Sequence, residues 1–229
     1  MFSSSPVTER MQCLVRQWEQ QQDNRSVFLG CYHLMTLNML GAIQAAEFYD
    51  PPWVETLLQR FARYYFAALE AYESSPDASP AIWRLTFDAA LQPDTQVLQN
   101  LLLGVNAHIN YDLIFTLVEM LEMEWRGLNT ARRERRYQDH CHVNEVIHRT
   151  VDAVQDMVIE PRQPAMDILD RLMGPVDEWA ISRLISHWRD QVWQDAVRML
   201  EATDEIERMR LSQLVETEAL QRGRIILRL

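Results

Sequence analysis

The segment between Leu98 and Val118 constrains the fold more than any other part of the chain. Apolar side chains occupy almost every helical direction of this segment, and no alternation with period two interrupts them. A helix that is apolar on all sides is stable only when other helices surround it. The sequence therefore predicts an all-α fold in which a central buried helix, from about Asp94 to Arg126, is enclosed by the others.

Helix starts are marked along the chain by a capping residue followed by proline. Such pairs occur at Ser5-Pro6, Asp50-Pro51 and Ser79-Pro80. The predicted helices cover residues 6–22, 27–46, 51–74, 80–91, 94–126, 130–160, 175–202 and 203–221. Gly223 is expected to end the last helix, and RIILRL then forms an extended tail or an edge packed on the body. We expect a single globular bundle of about eight or nine helices. Within residues 1–229, it comprises an N-terminal helix in 1–24, a core bundle in 25–202, and a C-terminal helix and tail in 203–229.

Charge and residue usage exclude several classes of function. The formal net charge of −11 repels phosphate backbones and anionic lipid heads, so we expect no nucleic-acid partner. All 22 basic residues are arginine, which removes Schiff-base chemistry, a pyridoxal phosphate (PLP) anchor and a P-loop lysine. The chain has no glycine-rich nucleotide loop, and we expect neither a nucleotide nor a flavin cofactor.

Location is predicted from the cysteines, the N-terminus and one apolar segment. The three cysteines are widely spaced and form no C-x-x-C pair, which is typical of a reducing compartment. The first residues, MFSSSPVTERMQ, lack the regions of a signal peptide. Segment 27–46 has the length of a membrane span, but polar side chains such as Asn38 and Gln44 favour a core helix. We therefore expect a cytoplasmic protein with no membrane span.

The central helix carries four polar side chains in the stretch GVNAHINYDL. His108 and Asp112 are four residues apart, so they share one helical face, and Phe115 continues that face. Asn106 and Asn110 form a second pair on roughly the opposite side. His108 and Asp112 are the candidate catalytic pair. Asn106, Asn110 and Phe115 are candidate substrate contacts, and the asparagines can also tie the helix to neighbouring backbone.

A later helix, YQDHCHVNEVIHRTVDAVQDMV, supplies further candidates. Asp139 and His140 flank its apolar direction, and Asn144 lies at the edge of that direction. His33 aligns with apolar residues on the helix predicted for residues 27–46. If these helices pack beside the central one, their polar groups converge on the motif. Asp139 and His140 are then further catalytic candidates, and His33 and Asn144 are further substrate contacts.

The same residues carry a family resemblance. N-A-H-I-N-x-D-L in the central helix, with D-x-x-x-V-N from Asp139 to Asn144, looks like the hallmark of the bacterial and fungal family DUF5995, a domain of unknown function. The similarity runs from about Val27 to Met199 and includes FYDPPWVETLLQRFARYYFAAL and IWRLTFDAAL. Ile114 and Phe115 depart from the family pattern, in which proline and a small residue are expected. The resemblance implies a helical fold and an unassigned activity.

Three functions agree with this set of residues. The favoured one is acid–base catalysis on a hydrophobic small molecule, such as a cyclisation or tailoring step in secondary metabolism, with a carboxylate orienting His108. The second is a metal-dependent hydrolase-like site, since H-x-x-x-D presents nitrogen and oxygen one turn apart. Candidate ligands of a divalent metal are then His108, Asp112, Asp139 and His140. The third is a non-catalytic bundle that binds a ligand or partner, in which the motif is a structural polar network.

Overall fold

The computed structural model describes residues 5–154, 157–158 and 176–229. All the regular elements in these ranges are helical, as predicted. A π-helical turn, His108–Asp112, joins two of them into one continuous helix. The helices are α1 (Pro6–Gln20), α2 (Arg25–Gln44), α3 (Pro51–Ser74), α4 (Ala81–Ala90), α5 (Val97–Ala107), α6 (Leu113–Leu121), α7 (Thr130–Val154), α8 (Val176–Glu201) and α9 (Glu205–Ile226).

Capping side chains fix two of the predicted helix starts. The Ser5 hydroxyl accepts the backbone N–H of Thr8, and the Thr8 hydroxyl accepts the backbone N–H of Ser5. The Asp50 carboxylate accepts the backbone N–H of Trp53. In both cases proline occupies the first helical turn, where its missing N–H costs no hydrogen bond. The prediction from capping pairs is confirmed for α1 and α3.

The continuous helix formed by α5, the π-helical turn and α6 lies at the centre of the bundle. Helices α2, α3, α4, α8 and α9 all contact it, and α1 and α7 pack on α2. Its buried apolar side chains face several of these neighbours and include Leu101, Val105, Leu113, Leu117 and Leu121. The predicted central helix is confirmed, although it runs from Val97 to Leu121 and is capped by Gln96 rather than Asp94.

Two helices are long and apolar enough to cross a membrane by length and composition, namely Arg25–Gln44 and Val97–Leu121. In the most apolar windows of these helices, 56% and 72% of the residues are buried inside the bundle. The core helices of globular folds are apolar and buried in the same way.

The C-terminal segment RIILRL differs from the prediction. Helix α9 continues through Gly223 to Ile226, and Ile226 is buried. A β-carbon at Gly223 would lie 3.2 Å from side-chain atoms of Ile82 and Leu85 on α4. The glycine therefore permits close approach of two helices, and the prediction that it ends the helix is wrong. The predicted boundaries at Glu160 and Pro175 lie outside the described residues.

Candidate active site

His108 and Asp112 lie at the two ends of the π-helical turn and contact each other directly. Nδ1 of His108 is 3.0 Å from Oδ2 of Asp112, and the two side chains are 5% and 2% exposed. A π-helical turn within an α-helix is rare and occurs frequently at functional sites. The structure therefore joins the two predicted catalytic residues in one buried acid–imidazole pair.

Trp83 on α4 holds the carboxyl group of Asp112 from the other side. Its indole nitrogen Nε1 donates to both Oδ1 and Oδ2 of Asp112, each at 3.0 Å. The tryptophan is completely buried. Both carboxyl oxygens of Asp112 therefore have a partner, and the orientation of the group is fixed by two helices.

Aromatic rings enclose the imidazole of His108. Phe61 on α3 stacks flat on it, with ring centroids 3.5 Å apart and 9° between the planes. Tyr32 on α2 approaches at 4.2 Å between centroids and 60° between planes. Further rings stand between 5.7 and 6.3 Å from the imidazole, and they belong to Phe28, Tyr65 and Trp83. An enclosure of this kind excludes water and favours apolar or cationic groups.

Burial shifts the titration of both members of the pair. It lowers the pKa of His108 well below its ordinary value, because an imidazolium in this apolar enclosure loses its hydration. It raises the pKa of Asp112 well above its ordinary value, and the hydrogen bond from Trp83 opposes that rise. Both shifts favour the uncharged forms of the two side chains.

Two neighbouring rings of the enclosure each carry a buried polar atom without a hydrogen bond to the described residues. Among the residues that the structure describes, neither Nε2 of His108 nor the hydroxyl oxygen of Tyr32 has a partner. Their rings are in contact. Leaving a polar group buried without a partner costs about 1–3 kcal/mol. The apolar enclosure thus contains two polar groups that are available to a ligand.

Asn106 and Asn110 connect the central helix to the C-terminal helix. Nδ2 of Asn106 donates to the backbone carbonyl of Ala219 on α9 at 2.9 Å. Nδ2 of Asn110 donates to Oδ1 of Asn106 at 3.1 Å. These contacts are the backbone tie that the sequence offered as one role for the pair. Among the described residues, the hydrogen-bond partners of the two asparagines lie on α9 and within the pair itself, and not in the enclosure around His108.

Asp139 lies elsewhere and organises the loop before α3. Its carboxylate accepts the backbone N–H groups of Tyr49 and Asp50 at 2.7 and 3.0 Å. Burial raises the pKa of Asp139, and these two hydrogen bonds oppose the shift. The structure does not place Asp139 beside the motif as expected, because its carboxylate is hydrogen-bonded to this loop.

His140 and Asn144 form a separate polar cluster between α7 and α8. Nε2 of His140 lies 2.9 Å from the carbonyl oxygen of Arg189, and Nη2 of Arg189 donates to the carbonyl oxygen of His140 at 2.8 Å. Nε of Arg189 donates to Oδ1 of Asn144 at 2.8 Å. His140 therefore also lies apart from the pair at His108, and its bonds join two neighbouring helices.

The positions of His33 and Phe115 also differ from the expected convergence. His33 is half-buried on the side of α2 near Arg16 of α1, and the pKa of His33 is lowered by burial and by that arginine. The residue before it, Tyr32, faces the imidazole instead. The ring of Phe115 packs edge-on against Tyr111 at 5.0 Å between centroids. Neither residue makes a described ring contact with His108.

A model of one protein family, described as a family of unknown function, matches residues 5–229. The chain belongs to DUF5995. No curated protein matches it, and no solved structure matches it either. The family match extends beyond the segment that carries the resemblance in the sequence. For this member of DUF5995, the geometry of the site is therefore the source of functional inference.

The residues suggested as metal ligands in this DUF5995 chain do not form one set. Within 5–154, 157–158 and 176–229, no three His, Cys, Asp or Glu side chains are grouped so that they could hold an ion. His108 and Asp112 face aromatic rings, Asp139 binds the loop before α3, and His140 binds Arg189. The predicted four-residue ligand set is thus separated into three places.

Two grooves on the surface lie away from the pair. A groove of about 450 Å³ is bordered by α4 and α9, with Leu85 and Leu220 in its walls. Another of about 310 Å³ is bordered by α1 and α3, with Val7 and Phe66 in its walls. Neither is lined by His108. His108 is itself only 4% exposed, so a molecule reaches its imidazole when a covering side chain moves.

Three residues of the site in this DUF5995 member are absent from the candidates predicted from the sequence, namely Trp83, Phe61 and Tyr32. Aromatic residues at helical spacing mostly form cores, so their pattern does not indicate a site. One signal was available for α2, where Phe28 and Tyr32 lie four residues apart on a single face. Trp83 and Phe61 are identified only by their tertiary contacts with Asp112 and His108.

Proposed function

We propose that the protein is an enzyme that rearranges an apolar small molecule by acid–base catalysis, with His108 as the proton-transferring residue. The main support is Nε2 of His108, which is buried, has no partner among the described residues and lies in an aromatic enclosure. Buried polar atoms are almost always hydrogen-bonded, so an unpaired one on a titratable ring needs an explanation. A ligand that exchanges a proton with this nitrogen supplies it.

The protonation of the resting pair follows from burial. A neutral Asp112 carboxyl donates to Nδ1 of His108, and the neutral imidazole then carries its own proton on Nε2. This state has no net charge and agrees with the raised pKa of Asp112 and the lowered pKa of His108. His108 therefore presents an N–H group to the enclosure and acts first as an acid.

Proton transfer to the substrate moves two protons along the pair. Nε2–H of His108 protonates a double bond or an oxygen of the bound molecule, while the carboxyl proton of Asp112 moves to Nδ1. His108 stays neutral, Asp112 becomes a carboxylate, and the substrate carries one positive charge. The carboxylate and the ring faces of Tyr32 and Phe61 stabilise that cation.

The second half of the cycle returns the pair to its resting state. Nε2 of His108, now with a free lone pair, removes a proton from a different atom of the cation, and the proton on Nδ1 returns to Asp112. The product is an isomer of the substrate, and no co-reactant is consumed. Cyclisation of an unsaturated apolar molecule, or another tailoring step in secondary metabolism, has this form. The cytoplasmic location and the lack of a nucleic-acid partner stay predictions from composition.

Deuterium transfer tests the proposal. A mixture of unsaturated apolar small molecules is incubated in D₂O with the wild type, with His108→Gln and with His140→Gln, whose histidine is also buried but lies on α7. We expect isomers that carry deuterium on carbon from the wild type and from His140→Gln, and none from His108→Gln. Equal formation by His108→Gln contradicts the proposal.

Nuclear magnetic resonance of ¹⁵N-labelled histidine supplies an independent test without a substrate. The expected signal of His108 is a neutral imidazole with its proton on Nε2 near pH 6–7. A neutral ring with the proton on Nδ1 would remove the acid step and overturn the mechanism.

A further inference from the structure

An ionic cluster lies on the outer face of α3 beside Phe61. It is formed by Arg60, Arg63 and Tyr64 of α3 with Glu119 of α6. Nη1 of Arg60 and Nη2 of Arg63 both donate to Oε1 of Glu119, at 3.0 and 2.7 Å. The Tyr64 hydroxyl donates to Oε2 of Glu119 at 3.1 Å. Three donors from one turn of a helix thus hold a single carboxylate.

The donors of this cluster carry more positive charge than Glu119 balances. In the part of the chain that the structure describes, Glu119 is the one carboxylate within ion-pair distance of Arg60 or Arg63. Tyr64 stays a donor at neutral pH, because burial and the neighbouring Glu119 raise its pKa to about 12. The cluster is therefore suited to a second carboxylate of single charge, which can share or replace the position of Glu119.

The same helical turn covers the candidate catalytic residue. Phe61 follows Arg60 directly in sequence and stacks on the imidazole of His108. It is half-buried, so part of its ring reaches the surface. Tyr64 of the cluster is three residues after Phe61, and residues three apart on a helix are about 5–6 Å apart, so a molecule held by the Tyr64 hydroxyl and the arginines lies beside Phe61.

We propose that Arg60, Arg63 and Tyr64 bind the carboxylate of the substrate, and that the substrate of His108 is an apolar monocarboxylate. This inference rests on the proposed function of His108. The substrate carboxylate competes with Glu119 for the three donors, and the apolar body replaces Phe61 on the imidazole. Glu119 closes the unliganded site, because its ion pairs hold this turn of α3 against α6.

Titration with octanoate and with octanol tests the inference, since the two probes have the same chain length and differ in charge. Binding is followed through the imidazole signals of His108 in nuclear magnetic resonance spectra. We expect octanoate to shift these signals with saturation and octanol at equal concentration to leave them almost unchanged. Arg60→Gln with Arg63→Gln should weaken octanoate binding at least about tenfold, and Glu119→Gln should strengthen it by about tenfold, because a competing carboxylate is removed.

Arg10→Gln is the matched control, because Arg10 is also an exposed arginine paired with one carboxylate, Glu70, and should leave the affinity unchanged. Circular dichroism checks that each variant folds, and the two single arginine variants replace the double variant if it does not.

Three results overturn the inference. They are equal shifts of His108 by octanol and octanoate, octanoate binding that does not move the His108 signals, and an octanoate affinity that is the same in Glu119→Gln as in the wild type. The proposed function can fail separately: octanoate then binds as described, but His108→Gln forms the same deuterated isomers as the wild type.

Discussion

Phe61 lies flat on the imidazole of His108, with ring centroids 3.5 Å apart and planes 9° from parallel. This contact excludes water from one face of the imidazole, and the loss of hydration is what lowers the pKa of His108. The same turn of α3 carries Arg60, Arg63 and Tyr64, which hold Glu119. One aromatic side chain therefore separates the buried acid–imidazole pair from a surface cluster that can bind an anion.

Removal of this ring should expose His108. Phe61→Ala is expected to raise the pKa of His108 towards its ordinary value, because water reaches the imidazole, and to lower the free energy of unfolding by about 2–3 kcal/mol. Histidine signals followed across pH, and denaturant unfolding, measure the two effects. Phe115→Ala is the control, since Phe115 is also half-buried but packs on Tyr111. An unchanged titration of His108 in both variants would show that Phe61 does not shield the imidazole from water.

Loss of the indole N–H of Trp83 should weaken the fold through Asp112. Trp83→Phe removes the donor to both carboxyl oxygens, and we expect the free energy of unfolding to fall by about 1–3 kcal/mol more than in Trp125→Phe. Trp125 is buried as well, but its indole nitrogen has no partner among the described residues. The difference between the two variants in denaturant unfolding isolates the hydrogen bonds. Equal losses would mean that packing, and not the bond to Asp112, decides the effect.

The stability of the protein should depend on pH through the buried pair. Burial raises the pKa of Asp112 and lowers that of His108, while the unfolded chain has ordinary values of about 3.9 and 6.5. Above about pH 3.9 the unfolded Asp112 loses its proton while the folded residue keeps it, so the contribution of Asp112 to stability falls as pH rises until pH passes its raised pKa. The contribution of His108 has the opposite sign, because below about pH 6.5 the unfolded histidine binds a proton that the folded one does not.

Asp112→Asn removes the contribution of Asp112 and isolates it by comparison. We expect the free energy of unfolding of the wild type, minus that of Asp112→Asn, to fall as pH rises above about 3.9, because the folded Asp112 resists ionisation. Free energies of unfolding at a series of pH values measure this. Groups shared by both proteins cancel in the comparison. A difference that does not change with pH would contradict the raised pKa of Asp112.

Gly104 should tolerate no side chain. A β-carbon at this position would lie 2.2 Å from the ring of Phe28, so α5 and α2 would have to separate. We expect Gly104→Ala to cost at least about 2–3 kcal/mol, as overpacking in a rigid core does. Gly30→Ala is the control, since its β-carbon would meet Val158 at 3.6 Å, an ordinary contact, and alanine favours the helix by about 1 kcal/mol. Equal changes in the thermal unfolding temperature of the two variants would contradict the close approach of Phe28 to Gly104.

Local sequence determined the helical fold and the pairing within one helix. The all-round apolar character of the segment from Leu98 to Val118 places it at the centre, because any solvent-facing side would expose apolar surface. The spacing of four residues puts His108 beside Asp112, because the helical repeat alone decides which neighbours share a face. Both features follow from the backbone geometry of a single element.

Tertiary structure decided which faces of different helices meet. A rotation of α2 by one residue, about 100°, turns Tyr32 rather than His33 towards the imidazole. The packing of the helices also places Asp139 against the loop before α3 and His140 against Arg189. It brings Trp83 within hydrogen-bond distance of Asp112. The orientation of each helix depends on how much apolar surface the whole bundle buries. That area is contributed by residues far apart in sequence, so no single segment determines it. Periodicity within one segment therefore predicts the pair, and the assembled bundle supplies its surroundings.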